Sequence, residues 1–194
     1  MEPKTKIFNA YFELKQSKLY YNQIKEHTNL SHSSLQNQLI KLVSEKILKE
    51  EKTKGNKFYK ILDKKKFTLK FCELAINKFR NLNTNVKVPL KYFLKNISPE
   101  IFTIILFGSS ANKQENKNSD IDILIVSQGN VNIENNKKQA EITSKHHLSI
   151  FNCTIKQFKD NEDHLVIQAK KTGFPIYKEQ NFYEEIINEH QQNI

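Results

Sequence analysis

The chain has 194 residues, 38% hydrophobic and 27% charged, enough for one medium or two small packed domains. Its longest apolar run, Ile101–Phe107, is far short of the ~20 residues a membrane span needs, and the early charges Glu2, Lys4 and Lys6 argue against a secretory signal. The net charge is +10, carried unevenly: residues 1–70 hold 16 lysines against 7 acids, and the remainder is close to neutral. A basic first third suggests a polyanionic partner. Cys72 and Cys153 have neither metal-ligand nor disulfide spacing, so they are expected as buried free thiols of a cytoplasmic protein.

In chain order, residues 20–27 form a short helical segment with Tyr20, Tyr21 and Ile24 as apolar positions, closed by a turn at 28–30. Ser31 is a suitable N-cap for a second helix over 31–44, where Leu35, Leu39 and Leu42 repeat as one buried stripe. A hairpin follows: a strand opens at Ile47 and Leu48, a basic turn covers 52–57, and the chain returns over 58–62. This pattern resembles a winged helix-turn-helix. The resemblance implies that the second helix enters the major groove of double-stranded DNA. Ser33, Ser34, Gln36, Asn37 and Lys41 lie off the apolar stripe and would meet base edges and phosphate, with Lys52, Lys54 and Lys57 along the backbone. Winged helices commonly read DNA as pairs, so a homodimer is expected.

Helical spacing continues over 63–83 through Phe67, Phe71, Leu74, Ile76, Phe79 and Leu82, with a break at 82–86. A short helix over 88–97 has Pro89 near its first turn. The strand Ile101–Phe107 stops abruptly at Gly108-Ser109. A second apolar run, 119–126, opens with Asp120 and Asp122. On a strand, residues two apart share a face at about 6–7 Å. Two like charges there call for a cation, and Mg²⁺ commonly takes one or two carboxylates plus substrate phosphates. A Gly-Ser turn entering a helix offers backbone N–H groups and a hydroxyl to an anion. Together these features predict a phosphate grip beside a metal site.

The spacing of Gly108-Ser109, Ala111 and Ser119-Asp120-Ile121-Asp122 resembles the nucleotidyltransferase superfamily of DNA polymerase beta, in its minimal form. The resemblance implies Mg²⁺ or Mn²⁺ held by Asp120 and Asp122, which would also be the catalytic pair. A nucleoside triphosphate would be gripped by Gly108, Ser109 and Ser119. Active members usually carry a third carboxylate on a neighbouring strand. The corresponding run here, 148–155, has none, and Ser149 or Asn152 stands at that position. Beyond it, helices over 133–147, 157–171 and 182–191 and a strand over 173–177 complete the pattern, with His146 and His147 as an exposed pair closing the first of these helices.

The expected fold is therefore α/β of the α+β kind. A winged helix-turn-helix at 1–62 and a helical connector at 63–87 precede a nucleotidyltransferase-like mixed sheet flanked by helices at 88–194. Three functions follow from the resemblances. One is nucleotidyl transfer to a hydroxyl acceptor by a DNA-binding protein. Another is an inactive transcription regulator that uses the fold as a sensor. The third is an antitoxin-like partner of another protein. None involves a membrane.

Overall fold

The computed structural model describes residues 2–53 and 55–192, with side chains up to Glu189. Two compact units divide the chain: residues up to Leu74 with those from Tyr183 onward, and Ala75–Phe182. None of the described helices is long and apolar enough to cross a membrane.

The first unit opens with α1 (Pro3–Leu14), which the sequence reading did not identify. Pro3 suits the first helical turn, and Ile7, Phe8, Ala10, Tyr11 and Phe12 are buried. Tyr11 is fully enclosed, and its hydroxyl donates to the Tyr59 carbonyl at 2.8 Å. The elements β1 (Lys18–Tyr20), α2 (Tyr21–Thr28), α3 (His32–Ser44), β2 (Leu48–Thr53) and β3 (Asn56–Ile61) follow. The three strands form an antiparallel sheet in the order β1-β3-β2.

The α3 helix forms as its sequence dictates. The Ser31 hydroxyl accepts from the Ser34 N–H at 3.3 Å, and Leu35, Leu39 and Leu42 are buried. The α2 helix starts one residue later than its sequence suggests. Tyr20 belongs to β1 and is 43% exposed, its ring 4.0 Å from that of Phe58, and only Ile24 and Thr28 of α2 are buried. Gln23 explains the shift: its side chain accepts from the Tyr20 N–H and fixes the helix start at Tyr21.

The connecting helix α4 (Lys64–Arg80) ends three residues earlier than its spacing suggested, and Ile76 on it is exposed. The helix α5 spans Thr84–Phe93, four residues ahead of the expected one, so Pro89 lies inside it. The lost N–H is tolerated where Val86, Leu90 and Phe93 bury the same helix.

The second unit is built on a mixed sheet. Its strands are β4 (Ile101–Phe107), β5 (Ile121–Ser127), β6 (Leu148–Thr154) and β7 (Phe174–Tyr177), in the order β6-β5-β4-β7. The β5–β6 pair is parallel and the others are antiparallel. Ile104, Ile105 and Leu106 on β4, and Ile123, Leu124, Ile125 and Val126 on β5, are all buried. Strands covered on both faces read as continuous apolar runs. The helices of this unit are α5, α6 (Gly108–Ala111), α7 (Glu134–Thr143), α8 (Ile155–Asp160) and α9 (His164–Thr172), and α10 (Glu179–Gln192) belongs to the first unit from Tyr183 onward.

Two helical expectations change here. The helix expected over 157–171 is two helices, because Asn161 turns left-handed at φ 55° and Asp163 caps the second by accepting from the Leu165 N–H. The helix expected to end at His147 stops at Thr143, where Ser144 takes extended geometry. His146 is therefore not an exposed helix end. It is buried, and a ring nitrogen lies 2.8 Å from the Ser119 carbonyl oxygen. Of the two thiols, Cys153 is buried and Cys72 only partly so.

Candidate nucleotide and metal site

The site begins where β4 runs out. Antiparallel register sets Phe107 opposite Asp122, so the turn at Gly108 meets the carboxylate two residues into β5. Gly108 has φ +72°, and a Cβ built on it would lie 2.4 Å from Asp122 Oδ2. Only glycine fits both demands. The turn leads into α6, where the buried Ser110 hydroxyl donates to the Asp120 carbonyl at 3.1 Å. Ser109 is half-buried in the same short helix, and its carbonyl accepts from the N–H groups of Asn112 and Gln114.

Asp120 immediately precedes β5 and is exposed, while Asp122 is half-buried. Burial first, and the neighbouring Asp120 charge second, push the Asp122 carboxyl above its ordinary value. The pair is thus a partly desolvated like-charge site, whose cost a bound cation would offset.

The parallel register sets Ser149 of β6 beside Asp122, and its hydroxyl donates to Asp120 Oδ2 at 2.9 Å. Asn152, three residues further on, pairs with Ile125 and points from the opposite face. Of the two residues left open at the missing third carboxylate, Ser149 is the one at the site. Among the described residues there is no cluster of three or more His, Cys, Asp and Glu suited to a metal.

Ser119 is held by its loop. Its hydroxyl accepts from the Asn116 N–H at 2.9 Å, and its carbonyl oxygen lies against His146. The same loop forms one wall of a cavity of about 600 Å³ lined by Asn83, Asn85, Glu115, Asn116, Lys145 and His146. Apart from His146, nothing in the spacing of these residues marked them out. Glu115 and Asn83, 32 residues apart, bond at 2.5 Å.

In the first unit, α3 presents Ser33, Gln36, Asn37 and Lys41 to solvent, while Ser34 is half-buried beneath its cap. Ile40, absent from the sequence reading, is 58% exposed. The hairpin lysines are less free than their spacing suggested, since Lys52 and Lys57 lie 3.8 and 3.6 Å from Glu50. Lys54 lies outside the described residues.

Residues 89–182 match the family model described as polymerase beta, nucleotidyltransferase. The matched segment contains the glycine turn, both aspartates and the whole four-stranded sheet. The second unit thus has an α+β nucleotidyltransferase-like fold. No curated protein and no solved structure matches the chain.

Proposed function

We propose that the second unit binds a nucleoside triphosphate with a divalent cation, Mg²⁺ or Mn²⁺. Asp120 and Asp122 would hold the cation, and the Gly108-Ser109 turn would receive phosphate. The observation that carries this reading is the fit of Gly108 against Asp122 Oδ2, where a Cβ would stand 2.4 Å away. A turn that demands glycine in order to admit a carboxylate is built around that carboxylate. Such a cation, when bound, would neutralise phosphate charge and align the triphosphate. Within the chain, Ser149 orients Asp120 through its 2.9 Å hydrogen bond, and Ser110 holds the backbone of Asp120 in place.

The reaction such a site supports is nucleotidyl transfer. An acceptor hydroxyl oxygen bonds to the α-phosphorus as the bond to the bridging oxygen breaks, pyrophosphate leaves with the bonding pair, and the hydroxyl proton passes to solvent water. Ser149 gives no strong base toward that hydroxyl, because a serine hydroxyl stays protonated at neutral pH. This observation favours a second reading beside the first: nucleotide binding with slow or no transfer, as a regulator's sensor.

We infer further that the first unit is a winged helix that binds double-stranded DNA. The order α1-β1-α2-α3-β2-β3 with β3 central supports it, as do the polar exposed face of α3 and the lysine excess of residues 1–70.

Calorimetry with Mg²⁺ and each of the four nucleoside triphosphates tests the site. Binding is expected in the native chain, and its loss when Asp120→Asn is combined with Asp122→Asn. Equal affinity in the double variant would remove the site. Labelled α-phosphate appearing on an acceptor hydroxyl separates transferase from sensor.

A further inference from the structure

The sheet of the first unit buries one face and leaves the other open. Leu19, Leu48, Tyr59 and Ile61 are buried, and side chains alternate along a strand. The residues between them therefore project the other way. Register aligns these in two rows across the strands. Lys18, Lys60 and Lys49 form one, and Tyr20, Phe58 and Glu51 form the next. Neither row belongs to α3 or to the carboxylate site.

Like charges directly opposite each other on adjacent strands destabilise a sheet. The first row sets three lysines side by side, with Lys60 between the other two. The one acid of the two rows, Glu51, answers the outer pair. Its carboxylate lies 2.9 Å from Lys18 Nζ and 3.5 Å from Lys49 Nζ. Lys60 has no acidic partner among the described residues. Three cations against one carboxylate leave this face electropositive, and a polyanion would offset the cost.

The second row adds aromatic surface. The rings of Tyr20 and Phe58 lie with centroids 4.0 Å apart. Phe58 is half-buried, and Lys18 Nζ stands 4.4 Å from its centroid, which covers that ring. Tyr20 is 43% exposed. It closes β1, and Gln23 Oε1 accepts from its N–H at 2.9 Å, so the ring projects from a fixed backbone. An anchored ring thus stands open beside a row of cations. A lone anion or an acidic peptide would satisfy the lysines and leave the ring uncovered. A duplex offers phosphates but keeps its base faces stacked inside. A single strand offers phosphates and base faces together.

We propose that the outer face of the β1-β3-β2 sheet binds single-stranded nucleic acid. One base stacks on Tyr20, and the neighbouring phosphates lie along Lys60 and Lys49. Every base has a flat face, so sequence preference is weak. The surface is separate from α3 and stands whether or not α3 reads duplex DNA.

Fluorescence anisotropy of the full chain tests this with labelled oligothymidylate and oligouridylate of about ten nucleotides, and with a duplex. The native chain is expected to bind at least one of the two single strands at low salt, the tighter one naming the sugar. Tyr20→Ala and Tyr20→Leu should each lower that affinity at least about fivefold, and Tyr20→Phe should retain it. Lys60→Ala should reduce the salt slope by about 0.7. Duplex affinity should be unchanged in all three Tyr20 variants. Photo-crosslinking of the native chain gives a readout that needs no variant: a strand carrying iodouracil should mark Tyr20. Failure to bind either strand overturns the proposal, as does equal affinity in Tyr20→Leu, an equal loss of duplex and single-strand binding, or a crosslink elsewhere. Loss of single-strand binding in Gln36→Ala with Asn37→Ala would move the contact to α3 and also overturn it.

Discussion

Gly108 and Asp122 are the residues on which the site turns. Gly108→Ala meets two penalties at once. The left-handed backbone costs about 1–2 kcal/mol for a residue with a Cβ, and the new methyl collides with Asp122 Oδ2. Urea unfolding should show at least the backbone cost, and calorimetry should show lost nucleotide affinity even where the variant folds. Asp122 carries a pH signature. Its carboxyl lies above its ordinary 3.8 in the folded chain, through burial first and Asp120 second. In the window above 3.8 the native state binds more protons than the unfolded one, so stability falls as pH rises through it. Once both states are ionised, the cost is fully present. Asp122→Asn should therefore melt higher than the native chain at pH 7 in the absence of divalent cation, with the gap closing as pH falls toward 3.8. A lower melting temperature at pH 7 would contradict the like-charge account.

The α3 helix and its hairpin show what an element adds to its residues. Lys41→Ala should weaken DNA binding similarly across sequences and lower the salt slope by about one. Gln36→Ala or Asn37→Ala should instead relax sequence preference. Glu50 sits within 4 Å of both Lys52 and Lys57. Glu50→Gln should thus tighten DNA binding at low salt by releasing two lysines, and an unchanged gel-shift midpoint would argue against the hairpin as a phosphate contact. The α3 helix was legible because a cap, Ser31, and a stripe, Leu35–Leu39–Leu42, agree locally. The strand pair β4 and β5 was legible for a similar reason, since buried runs end sharply at Gly108 and begin at Asp120. The α1 helix escaped notice because its apolar residues 7, 8, 10, 11 and 12 crowd together without a clean period. The break between α8 and α9 was carried by a left-handed Asn161 and an Asp163 cap, both of which also suit a helix surface. The role of Ser149 needed the parallel register, which no local pattern contains.

For the whole molecule, charge and chemistry are divided between two units. The lysine excess is spread over residues 1–70, the part of the chain that includes α3 and its hairpin, and the carboxylate pair belongs with the sheet of residues 89–182. DNA affinity should therefore fall steeply with salt, while Asp120→Asn with Asp122→Asn leaves the DNA affinity of the nucleotide-free chain within about twofold. The most direct measurement of the central claim is an electron-paramagnetic titration of Mn²⁺ with a non-hydrolysable nucleoside triphosphate. Two carboxylates with Ser149 at the third position predict one Mn²⁺ held per chain in the presence of nucleotide, lost when both aspartates become asparagine. Two tightly held ions, or binding that persists in the double variant, would contradict the account.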